Sequence, residues 1–347
     1  MEYFAIGLMS GTSLDGLDIC YAKFTKQENW TFEILEAETF PYEEAWENQL
    51  KNSIHLSAEN LYELHSHYGF LLGEFTQKFI ETHQIKKIDI IASHGHTVFH
   101  QPAKKYTVQI GDGRAIKKIT QQKIVFDFRS QDVVMGGNGA PLVPVGDEFL
   151  FHEYDTCINL GGFSNISFKN NNQRLAFDIS PVNIILNVFA KKLGKNYDEN
   201  GDFARRGNID IELLEKLNSL DFYQQKAPKS LGVEWCIKNI FPLLENHPSE
   251  TILATFTEHI AEQIAKVFNE NHLKKALFTG GGTYNTFLLE KIVTKTSTEI
   301  IIPDQKIIEF KEALIFAFMG VLKLRNENNV LSSATGSSED HCSGLLV

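Results

Sequence analysis

Apolar and polar residues alternate in blocks along the first 130 residues, and these blocks predict three strands followed by a long helix. Apolar side chains at helical spacing indicate an amphipathic helix over Ser57–His83, with Ser57 as its N-cap. A second helix is predicted near Gly113–Thr120. The predicted strands are residues 2–9, about 16–25, about 30–40, Ile88–Ala92, Tyr106–Ile110 and Lys123–Phe128. With the Tyr106–Ile110 strand left aside, the order is β-β-β-α-β-α-β.

The second half begins with the same pattern. Its predicted strands are Tyr154–Leu160, Asn165–Lys169, Arg174–Asp178 and Lys275–Phe278. Its predicted helices lie near 182–193, 209–219, 231–240, Thr251–Asn269 and Lys311–Lys323. A duplicated unit of this kind is the plan of the actin/hexokinase class. The predicted fold class is therefore α/β, a two-domain actin-like ATPase fold (duplicated ribonuclease H-like) with a central cleft.

The Gly- and Pro-rich stretch Asp132–Pro144 predicts the domain boundary. The N-terminal domain is expected to cover residues 1–131 and to be completed by the C-terminal segment 324–347. The C-terminal domain is expected to cover residues 132–323.

Three glycine-rich turns follow apolar strand-like runs: one after Met9, one at Gly161–Gly162 and one at Gly280–Gly282. Glycine lets backbone N–H groups approach a phosphate, and such a loop forms a concave nest for it. One loop of this kind is equally a plain hairpin turn, but three of them favour a nucleotide held between two lobes. The candidate nucleotide-binding residues are Ser10, Gly11, Thr12, Ser13, Asp15, Gly16, Asn159, Gly161, Gly162, Gly280, Gly281, Gly282 and Asn285.

Composition narrows the classes of function. The chain has 347 residues, 43% hydrophobic residues and a net charge of −11, which fits a folded two-domain protein and argues against nucleic acid or an anionic membrane as the main partner. The four cysteines are scattered and form no Cys-x-x-Cys pair. The N-terminus does not resemble a signal peptide, and no apolar stretch has the length of a membrane span. A cytoplasmic location is expected.

Six motifs in order resemble the anhydro-N-acetylmuramic acid kinase family, which belongs to the actin/hexokinase class. They are Met9–Gly16, Ser93–Thr97, Gln109–Asp112, Asp127–Asp132, Gly136–Pro144 and Gly280–Gly282. The resemblance spans residue 6 to about residue 336. It implies ATP-dependent hydrolysis of the 1,6-anhydro ring of anhydro-N-acetylmuramic acid with phosphorylation of O6, which gives N-acetylmuramic acid 6-phosphate in cell-wall recycling. ATP and Mg²⁺ are the implied cofactors, with Asp15 as a candidate magnesium ligand.

Asp178 is the candidate catalytic base. From the residues alone, a carboxylate at the end of an apolar strand is either a group over the cleft or an N-cap for the segment that begins at Pro181. The family places its base in an Asp-Thr-Gly-Pro-Gly-Asn motif, which here is Asp178–Asn183 with Ile, Ser and Val at the Thr and Gly positions. The resemblance implies that Asp178 activates water at C1.

Glu312 is the second candidate catalytic residue. Its position at the start of the predicted Lys311–Lys323 helix is also typical of an acidic residue that favours a helix N-terminus. The family pattern of Glu-Ala before an apolar helix implies that Glu312 reaches the cleft and helps to hold the water.

Several polar residues in loops are candidate sugar ligands. The histidines at 94 and 96 are expected on a loop after a strand, where they either pack or bind ligand, and the family motif has Gln at the position of His96. Arg129 offers a bidentate fork for a lactyl carboxylate or a phosphate, or forms an ion pair with a neighbouring aspartate. The aspartates at 112 and 132 are either acceptors for sugar hydroxyls or loop caps. The candidate substrate-binding residues are His94, His96, Thr97, Asp112, Arg129, Asp132 and Asn183.

Two rival functions remain at this point. One is a kinase of the same fold that acts on another sugar, as the altered Asp178–Asn183 motif suggests. The other is a non-catalytic sugar or nucleotide sensor, against which the retained Asp178 and Glu312 argue. The expected partners are a small sugar and ATP, without nucleic acid or membrane, and the resemblance leaves room for a homodimer. Asp198–Gly207 resembles a family segment on the nucleotide side.

Overall fold

The chain forms two compact units. The computed structural model describes residues 1–11, 14, 16–171 and 173–347. Unit 1 comprises Met1–Phe151 and Phe310–Val347, and unit 2 comprises His152–Glu309. No helix in these described ranges is long and apolar enough to cross a membrane.

Strands occur in both units. They are β1 (Glu2–Ser10), β2 (Gly16–Lys26), β3 (Trp30–Pro41), β4 (Ile90–Ser93), β5 (His96–Gln101), β6 (Tyr106–Ile110), β7 (Ile124–Phe126), β8 (Thr156–Leu160), β9 (Phe163–Asn170), β10 (Gln173–Pro181), β11 (Lys275–Thr279), β12 (Glu299–Ile301) and β13 (Leu345–Leu346).

The helices are α1 (Glu44–Asn52), α2 (Ala58–Thr82), α3 (Gly113–Thr120), α4 (Ser130–Val134), α5 (Pro144–Phe149), α6 (Asn183–Lys192), α7 (Asp202–Arg206), α8 (Ile211–Asn218), α9 (Val233–Asn239), α10 (Phe241–Leu244), α11 (Ser249–Glu270), α12 (Thr286–Val293), α13 (Gln305–Leu324) and α14 (Ser332–Thr335). The predicted cap of the long helix is confirmed, because the Ser57 hydroxyl accepts from Asn60 N–H at 3.3 Å.

The main sheets of the two units share one strand order. In unit 1 the order is β13-β7-β4-β1-β2-β3, and in unit 2 it is β10-β9-β8-β11-β12. Each sheet has an antiparallel run of three consecutive strands, the first of which pairs in parallel with a fourth strand (β4 or β11). That strand pairs in parallel with a fifth (β7 or β12), and in unit 1 β13 adds antiparallel to β7. The α/β class and the duplicated actin-like plan predicted from the sequence are confirmed.

Each unit has its own apolar core. In unit 1 the buried face of α2, including Leu72 and Phe79, packs with side chains of β1 such as Ile6. In unit 2 the helix α11 contributes Phe256 and Phe268 to a core shared with the strands of the sheet. Each such fully buried side chain contributes roughly 1.5–3 kcal/mol relative to exposure. These cores hold the strands and helices that carry the candidate site residues.

The compact units differ from the predicted domains at both boundaries. Residues 132–151 and 310–323 lie in unit 1, whereas the sequence-based boundaries place them in the second domain. A buried ion pair between Lys311 Nζ and Asp147 at 2.7 Å ties α13 to α5. Ile315 of α13 also packs so closely on Gly146 that a Cβ there would lie 2.3 Å from it.

Candidate functional site

A sharp turn between β4 and β5 places the two candidate histidines of unit 1. Gly95 has a φ of +75°, and a Cβ on it would lie 2.4 Å from the carbonyl oxygen of Ile110. Only glycine fits this turn without strain. The expectation that His96 and Thr97 lie on a loop is wrong, because both belong to β5, which pairs with β6. His94 and Gly95 form the turn itself.

A hydrogen bond joins the side chains of His94 and Arg129. Arg129 Nε donates to His94 Nε2 at 2.9 Å, and the other ring nitrogen, Nδ1, lies 2.8 Å from the carbonyl oxygen of Gly95. His94 is therefore neutral, with its proton on Nδ1. Burial and then the charge of Arg129 hold the pKa of His94 well below its usual value. The histidine thus fixes the guanidinium while remaining uncharged.

The guanidinium of Arg129 is held at two of its nitrogens. Nη1 donates to the carbonyl oxygen of Gly139 at 2.9 Å, in addition to the bond from Nε to His94. Burial lowers the pKa of Arg129 to about 10, against the opposing charges of Glu312 and Asp132. The residue remains a cation at neutral pH and has hydrogens on Nη1 and Nη2 beyond these two bonds. The expected surface ion pair is not the arrangement observed.

Glu312 lies inside a helix rather than at its start. The helix α13 begins at Gln305, so the sequence-based alternative of an acidic residue at a helix N-terminus does not apply. Glu312 is half-buried between the buried residues Lys311 and Ala313. Burial raises the pKa of Glu312, and the charges of Arg129 and Lys311 act against that rise. The Glu312 carboxylate therefore belongs to the same cluster of charged side chains as Arg129 and Lys311.

A chain of hydroxyls lies at the end of β1. Tyr42 donates its hydroxyl hydrogen to Ser10 Oγ at 3.0 Å, and its oxygen lies 2.6 Å from the hydroxyl oxygen of Tyr68. All three side chains are buried. The ring of His96 packs edge-on against Tyr68 with centroids 6.4 Å apart. Burial lowers the pKa of His96 to about 4, so His96 is neutral, and among the described residues its Nδ1 has no hydrogen-bond partner.

The aspartates at 112 and 132 make loop-cap contacts. Asp112 caps α3 through Arg114 N–H at 2.9 Å and also pairs with the Arg114 side chain. Asp132 is fully buried and accepts from Gly139 N–H at 2.6 Å and from the Thr335 hydroxyl at 2.7 Å. Both contacts fit the loop-cap alternative. Thr97 accepts from Gln109 Nε2 at 3.2 Å, which ties β5 to β6.

The glycines of the first turn have different surroundings. Gly16 begins β2, and a Cβ on it would lie 2.5 Å from the carbonyl oxygen of Phe40, so glycine is needed there for the approach of β2 to β3. Gly11 follows β1 and is half-buried. Thr12, Ser13 and Asp15 lie outside the described residues.

Asp178 in unit 2 lies in the strand β10, three residues before its end at Pro181. The expectation that Asp178 ends the strand is wrong, because the strand continues for three more residues. The N-cap alternative is excluded, because α6 begins at Asn183 after Val182 and has no side-chain cap. Asp178 Oδ2 accepts from Leu231 N–H at 2.8 Å. Burial raises the pKa of Asp178, and the bond from Leu231 acts against the rise.

A bulge follows Asp178 directly. Asp178 pairs with Asn165 and Ser180 with Ser164, so Ile179 is an extra residue in β10. The Ser164 hydroxyl donates to the carbonyl oxygen of Ser180 at 3.0 Å and accepts from Ser180 N–H at 3.1 Å. This side chain restores pairing at the irregular position and fixes the backbone beyond the candidate base.

The two glycine turns of unit 2 meet at the ends of β8 and β11. Gly280 has a φ of +84°, and a Cβ on it would lie 2.4 Å from Asn159 Oδ1. A Cβ on Gly282 would lie 2.8 Å from Leu160, whereas one on Gly281 would meet no atom of the described residues within 4 Å. Gly281 therefore faces open space, and the glycines on either side are required by close packing.

The other turn contacts the start of α6. The carbonyl oxygen of Gly162 accepts from Val182 N–H at 2.8 Å, and that of Gly161 accepts from Asn183 N–H at 3.3 Å. The Asn183 side chain lies 3.5 Å from the carbonyl oxygen of Leu160. The helix N-terminus is thus satisfied by the turn.

Asn285 and the 198–207 segment lie beside the 280–282 turn. Asn285 caps α12 by accepting from Leu288 N–H at 3.0 Å. A Cβ on Gly201, whose φ is +74°, would lie 2.5 Å from Asn285 Oδ1. Asp198 accepts from Phe203 N–H at 2.7 Å and Ala204 N–H at 3.0 Å. The structure therefore brings together the unit 2 residues that were predicted to bind the nucleotide.

Sequence reasoning missed Ser164 and Leu231, which hold the strand around Asp178. Ser164 adjoins the Gly161–Gly162 turn, so a hydroxyl beside a glycine turn was a usable signal. Leu231 acts through its backbone N–H, which no residue type reveals.

These features define an α/β protein of the actin/hexokinase class with a half-buried carboxylate in each unit. A family model described as anhydro-N-acetylmuramic acid kinase matches residues 3–347. The chain belongs to the anhydro-N-acetylmuramic acid kinase family, as its motifs had indicated.

Relatives named anhydro-N-acetylmuramic acid kinase match it over nearly their whole lengths. The one from Francisella tularensis subsp. novicida (strain U112) is 33% identical, covering 97% of this chain and 96% of the relative. The one from Pasteurella multocida (strain Pm70) is 31% identical, covering 96% and 94%. A relative from Caldanaerobacter subterraneus subsp. tengcongensis is 31% identical, covering 99% and 97%.

Proposed function

We propose that this protein is an ATP-dependent anhydro-N-acetylmuramic acid kinase of cell-wall recycling. It would hydrolyse the 1,6-anhydro ring and phosphorylate O6, giving N-acetylmuramic acid 6-phosphate. The observation that carries the proposal is Asp178, a half-buried carboxylate at the family's base position in a chain that matches the family model over residues 3–347. Burial raises the pKa of Asp178, which makes the carboxylate a stronger base.

Asp178 is the proposed general base and Glu312 the proposed second carboxylate at the water. Asp178 takes a proton from the water as the water oxygen bonds to C1 of the sugar. The C1–O6 bond would break and O6 would take the γ-phosphoryl group of ATP, whose bond to the β-phosphate oxygen would break to release ADP. The charges of Arg129 and Lys311 favour the ionised form of Glu312 against the effect of its burial, and Glu312 would orient the water.

Arg129 is the proposed ligand of the lactyl carboxylate. Its bonds to His94 and Gly139 use Nε and one hydrogen of Nη1, and hydrogens on Nη1 and Nη2 supply a planar fork for a carboxylate. The neutral His96, with its buried Nδ1, is a proposed hydrogen-bonding partner of the sugar. Asn183 and Thr97 are proposed sugar contacts, while Asp112 and Asp132 would act by holding loops in place.

ATP is the proposed phosphoryl donor, and the glycine turns are its proposed phosphate-binding loops. The open space at Gly281 supports a close approach of the nucleotide there.

Kinases use Mg²⁺ with ATP, and this ion binds through one or two carboxylates, phosphate oxygens and water rather than through a full protein cage. In keeping with this, no group of three potential metal ligands occurs among the described residues. Asp15, outside that part of the chain, is the proposed ligand. A cytoplasmic location and a homodimer belong to the same proposal.

Mass spectrometry of the product formed in ¹⁸O-water tests the function. Anhydro-N-acetylmuramic acid and ATP should give a sugar phosphate with one ¹⁸O at C1 and none in the phosphoryl group. The open-ring sugar should be a poor acceptor, because its O6 is already protonated and lacks the ring-opening step. Rapid phosphorylation of the open sugar, without turnover of the anhydro form, would instead identify an ordinary hexose kinase.

A kinase for a different sugar is the second candidate, favoured by the altered Asp178–Asn183 motif. Ile179, Ser180 and Val182 stand where the family has Thr and two Gly, and all three are buried. Turnover of a panel of amino sugars with and without the lactyl group distinguishes the two candidates.

A further inference from the structure

One irregular segment, residues 225–232, forms two hydrogen bonds with Asp178. This segment connects a short 3-10 helix, Asp221–Gln224, to α9. Asp178 N–H donates to the carbonyl oxygen of Lys229 at 3.0 Å, and Leu231 N–H donates to Asp178 Oδ2 at 2.8 Å. The backbone and the carboxylate of the same residue are therefore held by positions two residues apart on the segment.

The segment is itself anchored through the side chain of Lys229. Its ammonium donates to the carbonyl oxygen of Phe222 at 3.1 Å and lies 4.4 Å from the centroid of the Phe222 ring. Phe222 is 4% exposed and packs against Trp235, with ring centroids 5.3 Å apart. The ammonium thus ties the irregular segment to a side chain fixed in the core of unit 2.

We propose that Lys229 is a positioning residue for the candidate base Asp178, acting through the 225–232 segment. The ammonium holds the segment on Phe222, and the segment presents Leu231 N–H to the Asp178 carboxylate. This inference rests on the proposed function, because it requires Asp178 to be the base.

Within the described part of the chain, few charged groups influence the pKa of Asp178 or of Lys229. Asp178 is influenced by burial and by the Leu231 N–H bond. Lys229 has a pKa lowered by burial and by the charge of Lys266, while Glu270 opposes this. A donor to a carboxylate stabilises its charged form, so loss of the Leu231 bond raises the pKa of Asp178. The acid limb of kcat/KM then moves to higher pH.

The test compares Lys229→Met, Lys229→Arg and the control Lys266→Met. Lys266 donates to the carbonyl oxygen of Tyr223 at 3.4 Å, so it contacts the same 3-10 helix without belonging to the 225–232 segment. For Lys229→Met we expect a lower kcat and an unchanged KM for ATP. We also expect the apparent pKa of the acid limb of kcat/KM to increase by about 1 pH unit. Hydrogen exchange at Leu231 N–H should become faster. Lys229→Arg should restore both readouts, since arginine keeps a donor and stacks on the ring.

Two results overturn the proposal. One is unchanged exchange and an unmoved acid limb in a folded Lys229→Met protein. The other is an equal response in Lys266→Met, which would show a general effect of charge. The variant Asp178→Asn distinguishes failure of the positioning role of Lys229 from failure of the proposed function. If Asp178→Asn keeps its activity, the base is wrong, whereas an inactive Asp178→Asn with an unaffected Lys229→Met rejects the positioning role alone.

Discussion

The carboxylates of Asp178 and Glu312 are held by different kinds of group. Asp178 lies in a strand of unit 2 and accepts from a neutral backbone N–H, that of Leu231. Glu312 lies inside a helix of unit 1, where the positive charges of Arg129 and Lys311 influence it. Burial raises the pKa of both groups, but among the residues that the structure describes only Glu312 has cations that act against the rise.

This difference separates two chemical tasks. A carboxylate held by a neutral donor keeps more of its basicity, which suits the removal of a proton. Cations beside a carboxylate favour its charged form, which accepts hydrogen bonds, and this suits the orientation of a water. We therefore assign proton transfer to Asp178 and orientation to Glu312, and the predictions below are designed to break or sharpen this division.

Asp178→Asn should have the largest effect on turnover. The amide still accepts from Leu231 N–H but cannot take the proton of the water, so we expect kcat to fall by about 10²–10⁴. The measurement is kcat for the anhydro sugar, with the Tm as a control for folding. A variant with a normal Tm and a third of the wild-type activity would remove Asp178 from the base role.

Glu312→Gln should reduce kcat less than Asp178→Asn does. Glutamine retains an oxygen that accepts from water, but it loses the charge beside Arg129, so we expect a fall on the order of 10² or less. Steady-state kinetics of both variants, prepared alongside each other, check the order. If Glu312→Gln proves the more damaging change, the division of tasks is reversed.

Arg129→Lys should mainly raise the KM for a sugar that has the lactyl group. Lysine keeps the charge but lacks the planar fork, and it cannot serve both His94 and Gly139 as Arg129 does. We expect the KM to rise by roughly tenfold, as for the loss of one good charged hydrogen bond. The matched comparison uses a substrate without the lactyl acid. Equal effects on the two sugars would indicate that Arg129 supports Glu312 rather than binding the carboxylate.

Most of the fold was predictable because its signals are local. The spacing of apolar residues located the long helix α2, and Ser57 marked its start. The strands β6 and β8 had β-type runs followed by glycine. Short elements such as α4 and α5 were missed because the Gly- and Pro-rich stretch between them resembles a loop. The start of α13 at Gln305 was missed because the polar residues of its first turn conceal the helical pattern.

The identity of the candidate site residues was predictable, but their partners were not. Motif spacing singled out Asp178, Glu312 and Arg129. The contact between Arg129 and His94 joins residues 35 positions apart, and the bond from Leu231 to Asp178 spans 53. Such partners depend on tertiary packing and on backbone groups, neither of which leaves a local pattern in the sequence.

The smallest predicted effect concerns stability, and it compares the same two carboxylates. Because the pKa of Asp178 is raised in the folded protein, the unfolded chain ionises at lower pH than the folded one. Rising pH therefore favours unfolding through this group between the two pKa values, and the penalty is constant above both. Asp178→Asn removes that penalty while keeping an acceptor for Leu231 N–H.

We accordingly expect Asp178→Asn to raise the Tm by roughly 2 °C at pH 7, and the gain to vanish as the pH falls below about 4. Glu312→Gln should give a smaller gain or a loss, since it removes the negative charge of Glu312 beside Arg129 and Lys311. Thermal unfolding of both variants and the wild type from pH 4 to pH 7 provides the measurement. If Glu312→Gln were more stable than the wild type and Asp178→Asn less stable, the cations would not favour the charged form of Glu312. The contrast between the two carboxylates would then be wrong.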